Sequence, residues 1–277
     1  MIVPEEAFVN EINMMKSALP CGMMVAGPAA PRRERMPDGK GSPFMTEYLE
    51  KLAACLQRIE EEEKINIRAA AEKAAEVIGN DGLIYVFGCG HSHLPGLDAF
   101  YRAGGLANVS PMLDTDLMLH NGAAKSSRME KMPGIGREIY RRYCLTARDM
   151  LIVISASGKN SVPCEVARCA VDDGVFTVGV SSSAYYEKGG RLHRIVPLHI
   201  DCKVPYGDAC VRVGPHVMGG QSTAADCFIL NSVLIEGARL AAERGCEVPV
   251  WVSGNVENGP ERNLKLEERY MERVRHL

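Results

Sequence analysis

The chain reads as an α/β protein, a three-layer sandwich with helices on both faces of a parallel sheet, and three observations predict it. Short β-branched apolar runs at 83–87, 108–112, 150–154, 176–180 and 195–200 alternate with helical stretches, which is the pattern of βαβ units. The run at 150–154, MLIVI, is apolar throughout, as a strand covered on both faces must be. Two of the strands pass straight into loops of glycine and hydroxyl residues that open a helix, GCGHSH after the first and SASGKNS after the third. At 277 residues, 46% hydrophobic and 24% charged, the chain is long and apolar enough to bury a substantial core.

The elements follow in order. Residues 1–44 carry Pro20, Pro28, Pro31, Pro37 and Pro43 among glycines, with a basic patch at Arg32, Arg33 and Arg35. This composition predicts a disordered N-terminal extension ahead of a single domain over 45–277. Met45 directly precedes an amphipathic pattern formed by Tyr48, Leu52, Cys55, Leu56 and Ile59, so native translation is expected to begin there. One long or broken helix is expected over 46–78, with the acidic run Glu60 to Glu63 on a solvated face. Further helices are expected near 92–103, 134–144, 160–173, 224–242 and 261–275. Asp226 and Asn231 interrupt the apolar face of the 224–242 helix, where hydrogen bonding within a subunit interface would accommodate them.

Composition excludes several functions. A net charge of −3 leaves no basic footprint for nucleic acid. No apolar run reaches the roughly 18 residues a bilayer span requires. Small-molecule partners are therefore expected. Ten cysteines are scattered without any C-x-x-C pair or secretory signal, which indicates structural thiols in a reducing cytoplasm. His91 and His93 form an H-x-H pair with no third ligand close in sequence, so no metal is expected. The glycine spacing matches neither the dinucleotide fingerprint nor the nucleotide triphosphate loop, and no cofactor is expected.

The loops point to an anion instead. Ser155, Ser157 and Ser161 supply hydroxyl donors, Gly158 permits a tight turn, and the helix that starts at Asn160 presents unpaired N–H groups and a partial positive charge. A phosphate monoester suits this environment, with Lys159 as an outer electrostatic aid. Gly90 and Ser92 repeat the arrangement after the first strand, and Ser181, Ser182 and Ser183 close the fourth. Ligands of open parallel sheets bind beyond these carboxyl ends. Ser222 and Thr223, in GGQSTAAD, are first-turn donors of the next long helix.

GCGHSH, ISASGKNS and VGVSSS, in this order and separation, resemble the SIS (sugar isomerase) domain family, over about 45–277. The segments FYRAGGLANVSPMLD, LMLHNGAAKSSRME, GGQST and VSGNVENG bring the likeness closest to an uncharacterised bacterial branch related to phosphoheptose isomerases. The resemblance implies a flavodoxin-like sheet, a homodimer or homotetramer, and a sugar phosphate held by Ser155, Ser157 and Ser161. Ser92 and Ser181 to Ser183 would then reach phosphate or sugar hydroxyls. It further implies aldose-ketose isomerisation of a sugar phosphate or amino-sugar phosphate, which needs a base moving a proton between C1 and C2.

Alignment to the phosphoheptose isomerases puts Asp98 at their glutamate base, whereas their late-helix histidine has no counterpart between Ser222 and Ala242. Glu130 and His120, in the long connection after Asp114, are an alternative acid-base pair, and Lys125 there could take phosphate or carboxylate. His91 and His93 are each read as either acid-base groups or structural rings. Two other readings stand beside the isomerase: a sugar-phosphate-sensing module without turnover, and a lyase resembling the N-acetylmuramic acid 6-phosphate etherases, which carry a similar ISASG loop.

Overall fold

Alternation along β3 (Met150–Ile154) determines how the layers assemble. Met150, Ile152 and Ile154 enter one apolar cluster, while Leu151 and Val153 enter another on the opposite face. All five are at most 1% exposed. Each such aliphatic side chain contributes roughly 1.5–3 kcal/mol on burial. The computed structural model describes residues 43–277, with side chains from 47 onward. The expected disorder and basic patch of the N-terminal extension lie outside the described residues, apart from Pro43 and Phe44, which open the first helix.

Five parallel strands form the sheet: β1 (Ile84–Gly88), β2 (Val109–Met112), β3, β4 (Phe176–Ser181) and β5 (Leu198–Asp201), in the order β2-β1-β3-β4-β5. Register pairs Phe87 with Met112 and with Val153, so the loops after β1, β2 and β3 emerge side by side. One face is covered by α1 (Pro43–Glu62), α2 (Lys64–Gly79), α3 (Leu94–Ala99) and α7 (Ser222–Glu243). The other carries α5 (Ile135–Arg141), α6 (Ser161–Asp172) and α8 (Gly259–Tyr270). The remaining elements are α4 (Ala123–Met129) and an antiparallel hairpin of β6 (Ala209–Val213) and β7 (His216–Gly220).

The first helical stretch is broken, one of the two forms expected for it, at Glu63, whose backbone leaves the helical region (φ −107°, ψ 5°). Several other sequence expectations are corrected. Glu63 is buried rather than solvated, because its carboxylate lies 2.6 Å from the Lys203 ammonium. Lys203 also contacts Glu62 at 3.0 Å and Asp201 at 3.3 Å, tying the helix break to the end of β5. The helix expected over 92–103 is shortened to α3, which follows a 3₁₀ turn and ends where Phe100 turns extended. The last strand begins at Leu198 rather than 195, because Leu192 and Val196 fold into a turn packed over Gly179. Asp226 lies inside the chain at 1% exposure, and Asn231 donates to the Cys227 carbonyl of its own helix at 3.0 Å.

The edge strand β5 contains a titrating group with a stability consequence. His199 Nε2 lies 2.8 Å from Ser181 Oγ and Nδ1 lies 3.2 Å from the Tyr186 hydroxyl. Burial is the main cause that lowers the imidazole pKa from 6.5 to about 4. The folded state therefore binds its proton more weakly than the unfolded chain. Stability present above pH 6.5 is lost as the pH falls towards 4, by about 3 kcal/mol. Denaturant unfolding between pH 7 and pH 4 is expected to show this loss, with a shallower pH dependence in His199→Gln. An unchanged slope in the variant removes His199 as its source.

Candidate functional site

The strand order reverses between β1 and β3, and in open parallel sheets this switch point opens a crevice beyond the carboxyl ends of the strands. Two turns line it. After β1, Gly90 takes the left-handed conformation (φ +57°) and begins a 3₁₀ turn to His93. His93 is buried, and its Nδ1 donates to the Gly90 carbonyl. Burial is the leading cause that lowers its pKa, with the nearby His120 and His91 acting in the same direction. His93 is thus a neutral ring that shapes the loop, while His91 and His120 are exposed. The half-buried Ser92 side chain forms no hydrogen bond among the described residues.

The second turn is anchored from below. Ser155 N donates to the Val180 carbonyl at 2.9 Å and continues the sheet pattern for one residue. Gly158 then turns left-handed (φ +57°), with its N–H 2.8 Å from the Ser155 carbonyl. A Cβ at Gly158 would lie 3.1 Å from Ser181 Cβ and Oγ. The Gly158 carbonyl accepts from Arg191 N at 2.8 Å, Leu192 N at 2.9 Å and the Cys164 thiol at 3.5 Å. With that carbonyl held inward, the backbone N–H groups of Ser157, Lys159, Asn160 and Ser161 have no partner among the described residues. The Ser157 and Ser161 side chains form no hydrogen bond among them either, and Lys159 is exposed. Free N–H groups and hydroxyls at the start of a twelve-residue helix are the donors that an anion seat requires.

Glu130 sits against this seat. It follows α4, and its backbone carbonyl accepts from Val162 N at 3.1 Å, in the first turn of α6. Burial raises the carboxyl pKa above the ordinary carboxylate value, opposed by a hydrogen bond with the Asn160 side chain. On the other side, the thiol of Cys89 is pushed well up by burial first and then by the charges of Glu130 and Asp114. Glu130 is therefore a half-buried carboxylate between the β1 and β3 turns, the one sequence-predicted acid-base group set directly against the β3 turn.

The other candidates are placed differently. Asp98 pairs with Arg102 one turn along at the protein surface. Lys125 pairs with Asp116 at 2.9 Å. Ser181 contacts His199, Ser182 donates to the Val204 carbonyl at 2.6 Å, and the Ser183 hydroxyl and N–H both engage Asp201. These three serines thus brace the β4–β5 end. Ser222 N and Oγ bond the Asp208 carboxylate at 2.7 and 2.8 Å, so Asp208 caps α7 from a distant loop, and Thr223 stands half-buried in that first turn. Two neighbours were not singled out from sequence. Arg191 lies beside Cys164 at the β3 turn and lowers its thiol pKa against the larger effect of burial, and Asp114, just past β2, forms an ion pair with Arg142 at 2.9 Å. Only the Gly189–Gly190 pair before Arg191 hinted at a special turn there. Among the described residues, no three His, Cys, Asp or Glu side chains are grouped to hold a metal ion, and no helix is long and apolar enough to cross a membrane.

Comparison with known proteins places this geometry in a family. The SIS domain model matches residues 47–182, which include both turns. A UPF0309 protein of Halalkalibacterium halodurans is 38% identical over 240 residues, covering 83% of this chain and 96% of the relative. The chain belongs to the UPF0309 family of SIS-domain proteins. Another UPF0309 protein, from Geobacillus kaustophilus, is 36% identical over 241 residues with the same coverage. The SIS fold is also seen in the phosphoheptose isomerase of Neisseria gonorrhoeae, with a TM-score of 0.51 at 15% identity over 70% of this chain and 96% of that one. At that identity the likeness is one of fold. The α/β sandwich and the SIS family implied by the sequence are both found.

Proposed function

We propose that this UPF0309 protein binds a phosphorylated sugar in the β1–β3 crevice and interconverts its aldose and ketose forms. The position of Glu130 carries the reading: a half-buried carboxylate with raised pKa beside the anion seat of α6. The phosphate dianion accepts from the open N–H groups and from Ser157 and Ser161, with Lys159 adding positive charge outside. The sugar then extends from α6 towards Ser92. Glu130 takes the C2 proton of the aldose and returns it to C1 of the enediol. His91 and His120, both near His93, are the imidazoles available to move the proton between the two oxygens. An amino sugar phosphate would follow the same course through an enolamine. The fold shared with a phosphoheptose isomerase supports this reading, which includes a homodimer or homotetramer acting in the cytoplasm.

Incubation with a panel of aldose and ketose phosphates in deuterated solvent tests it. Incorporation of deuterium at C1 or C2 of one of them is expected by NMR. Thermal stabilisation by a sugar phosphate without any incorporation overturns the isomerase and leaves a sugar-phosphate sensor. Ser157→Ala is expected to weaken binding of that ligand by roughly 1–3 kcal/mol, about 5- to 150-fold, when titrated calorimetrically. Unchanged affinity removes the hydroxyl from the seat.

A further inference from the structure

A cavity of about 380 Å³ lies at the end of the sheet opposite the crevice, beside the amino ends of β1 and β3. The buried Leu83, Tyr85 and Tyr143 contribute to its wall. Four guanidinium groups also line it: Arg142 and Arg148 from the connection between α5 and β3, and Arg273 and Arg275 from beyond α8. Two carboxylates share the lining, Asp149 and Glu272. Asp149 is buried and turned to its own neighbourhood, accepting from Leu83 N at 2.7 Å and from Thr146 N and Oγ1 at 2.8 Å each. Glu272 is exposed and pairs with none of the four arginines.

Other contacts fix the arginines and leave donors open. Arg142 Nη1 holds Asp114 at 2.9 Å and Arg273 Nη1 holds Asp81 at 2.8 Å, and neither of those carboxylates lines the cavity. Arg275 lies over the Tyr143 ring, 5.5 Å from its centroid, and donates from Nη1 to the Arg142 carbonyl at 3.0 Å. Nε and Nη2 of Arg142 and Arg275, and every donor of the exposed Arg148 side chain, have no partner among the described residues. Gathering guanidiniums in this way is unfavourable until an anion neutralises them. The rim carries a separate sign. Cys144 holds a left-handed backbone (φ +50°) that a residue with a Cβ seldom adopts, and the Tyr143 carbonyl before it is tied to β1 by the Tyr85 hydroxyl at 3.3 Å. Strained positions of this kind cluster at ligand clamps.

Forked N–H donors take phosphate or carboxylate groups two oxygens at a time. We propose that this cavity binds a compact polyanion, with two or more linked phosphate or carboxylate groups, at the amino end of the sheet and apart from the seat at α6. Arg148 and Arg275 supply the principal donors, and Arg142 adds its free edge. The site stands independently of the isomerase reading, because neither turn of the crevice contributes to its lining.

Cys144, the one exposed cysteine among the described residues, lines the cavity and reports its occupancy. Inorganic pyrophosphate and citrate are the probes, each titrated into the full chain at constant ionic strength while peptide mass spectrometry follows alkylation of Cys144 by iodoacetamide. At least one of them is expected to slow that alkylation about fivefold or more, with saturation. Protection by pyrophosphate alone assigns phosphate chemistry to the site, and protection by citrate alone assigns carboxylate chemistry. Arg148→Gln, which breaks no ion pair, is expected to raise the half-protecting concentration about tenfold, and Arg148→Gln/Arg275→Gln to abolish protection. Ser157→Ala is expected to leave it unchanged. Protection by neither probe, protection that survives in the double variant, or protection lost in Ser157→Ala overturns the site. Circular dichroism confirms that each variant is folded before its alkylation is read, and the single Arg148→Gln variant decides the matter if the double variant is not.

Discussion

Replacing Glu130 by glutamine is expected to reduce proton exchange at C1 and C2 by about 10²- to 10⁴-fold, the usual contribution of a positioned base. Sugar phosphate binding should persist, because the anion seat is formed by backbone N–H groups and hydroxyls rather than by this carboxylate. Wild-type exchange should rise with pH through the raised pKa of Glu130, since only the ionised carboxylate can accept the proton. The same shift has a stability consequence of opposite sense. A folded-state pKa above the unfolded value means that the native state loses stability as pH rises through the folded pKa. Glu130→Gln removes this loss, so the variant should melt higher than the wild type above that pKa and level with it under acidic conditions. Deuterium exchange and thermal unfolding across pH 4–8 check both halves. Full exchange in the variant eliminates Glu130 as the base, and Asp98, paired with Arg102 at the surface, is the next carboxylate to replace.

Gly88→Ala is expected to be the most destabilising single substitution in the crevice, costing more than about 3 kcal/mol. The new Cβ would stand 2.0 Å from the Ser92 carbonyl oxygen, 2.3 Å from its carbon and 2.9 Å from His93 N. All three are backbone atoms, so relief requires the entire β1 turn to move, taking Gly90 and Ser92 with it. Sugar phosphate binding should fall together with stability. Gly174→Ala is a useful contrast: unlike Gly88, Gly174 adopts a left-handed backbone (φ +75°), but nothing lies within 4 Å of the added carbon. Its cost should be about 1 kcal/mol, the backbone strain alone. Urea denaturation of the two variants separates the terms. A loss at Gly88 no larger than at Gly174 shows that the β1 turn tolerates displacement.

Much of the architecture was legible because it rests on local patterns. The apolar β-branched run at 150–154 could only be a doubly covered strand, and both turns after β1 and β3 could be read from glycines and hydroxyls that precede helices. The misplaced boundaries have tertiary causes. Val196 looked like strand and became a turn because its side chain packs over Gly179. Glu63 looked like the end of a solvated run and was buried by an ammonium 140 residues further along, at Lys203. The β6–β7 hairpin escaped notice because its exposed Val217 and Met218 interrupt the expected alternation.

The sequence by itself determined the parallel sheet and the family, and it carries the proposed anion seat at Ser157, Gly158 and Ser161, because each depends on residues adjacent in the chain. Tertiary structure decided which polar groups belong to that seat. The serines 181–183 are polar in composition, yet Asp201, His199 and Val204 occupy their hydroxyls. Glu130 was one of several carboxylates, and folding of the long connection after β2 set it alone beside Asn160 and the start of α6. Hydrogen-bond occupancy and distance between remote segments are properties of packing, and packing is where the difference between a candidate and a placed residue arises.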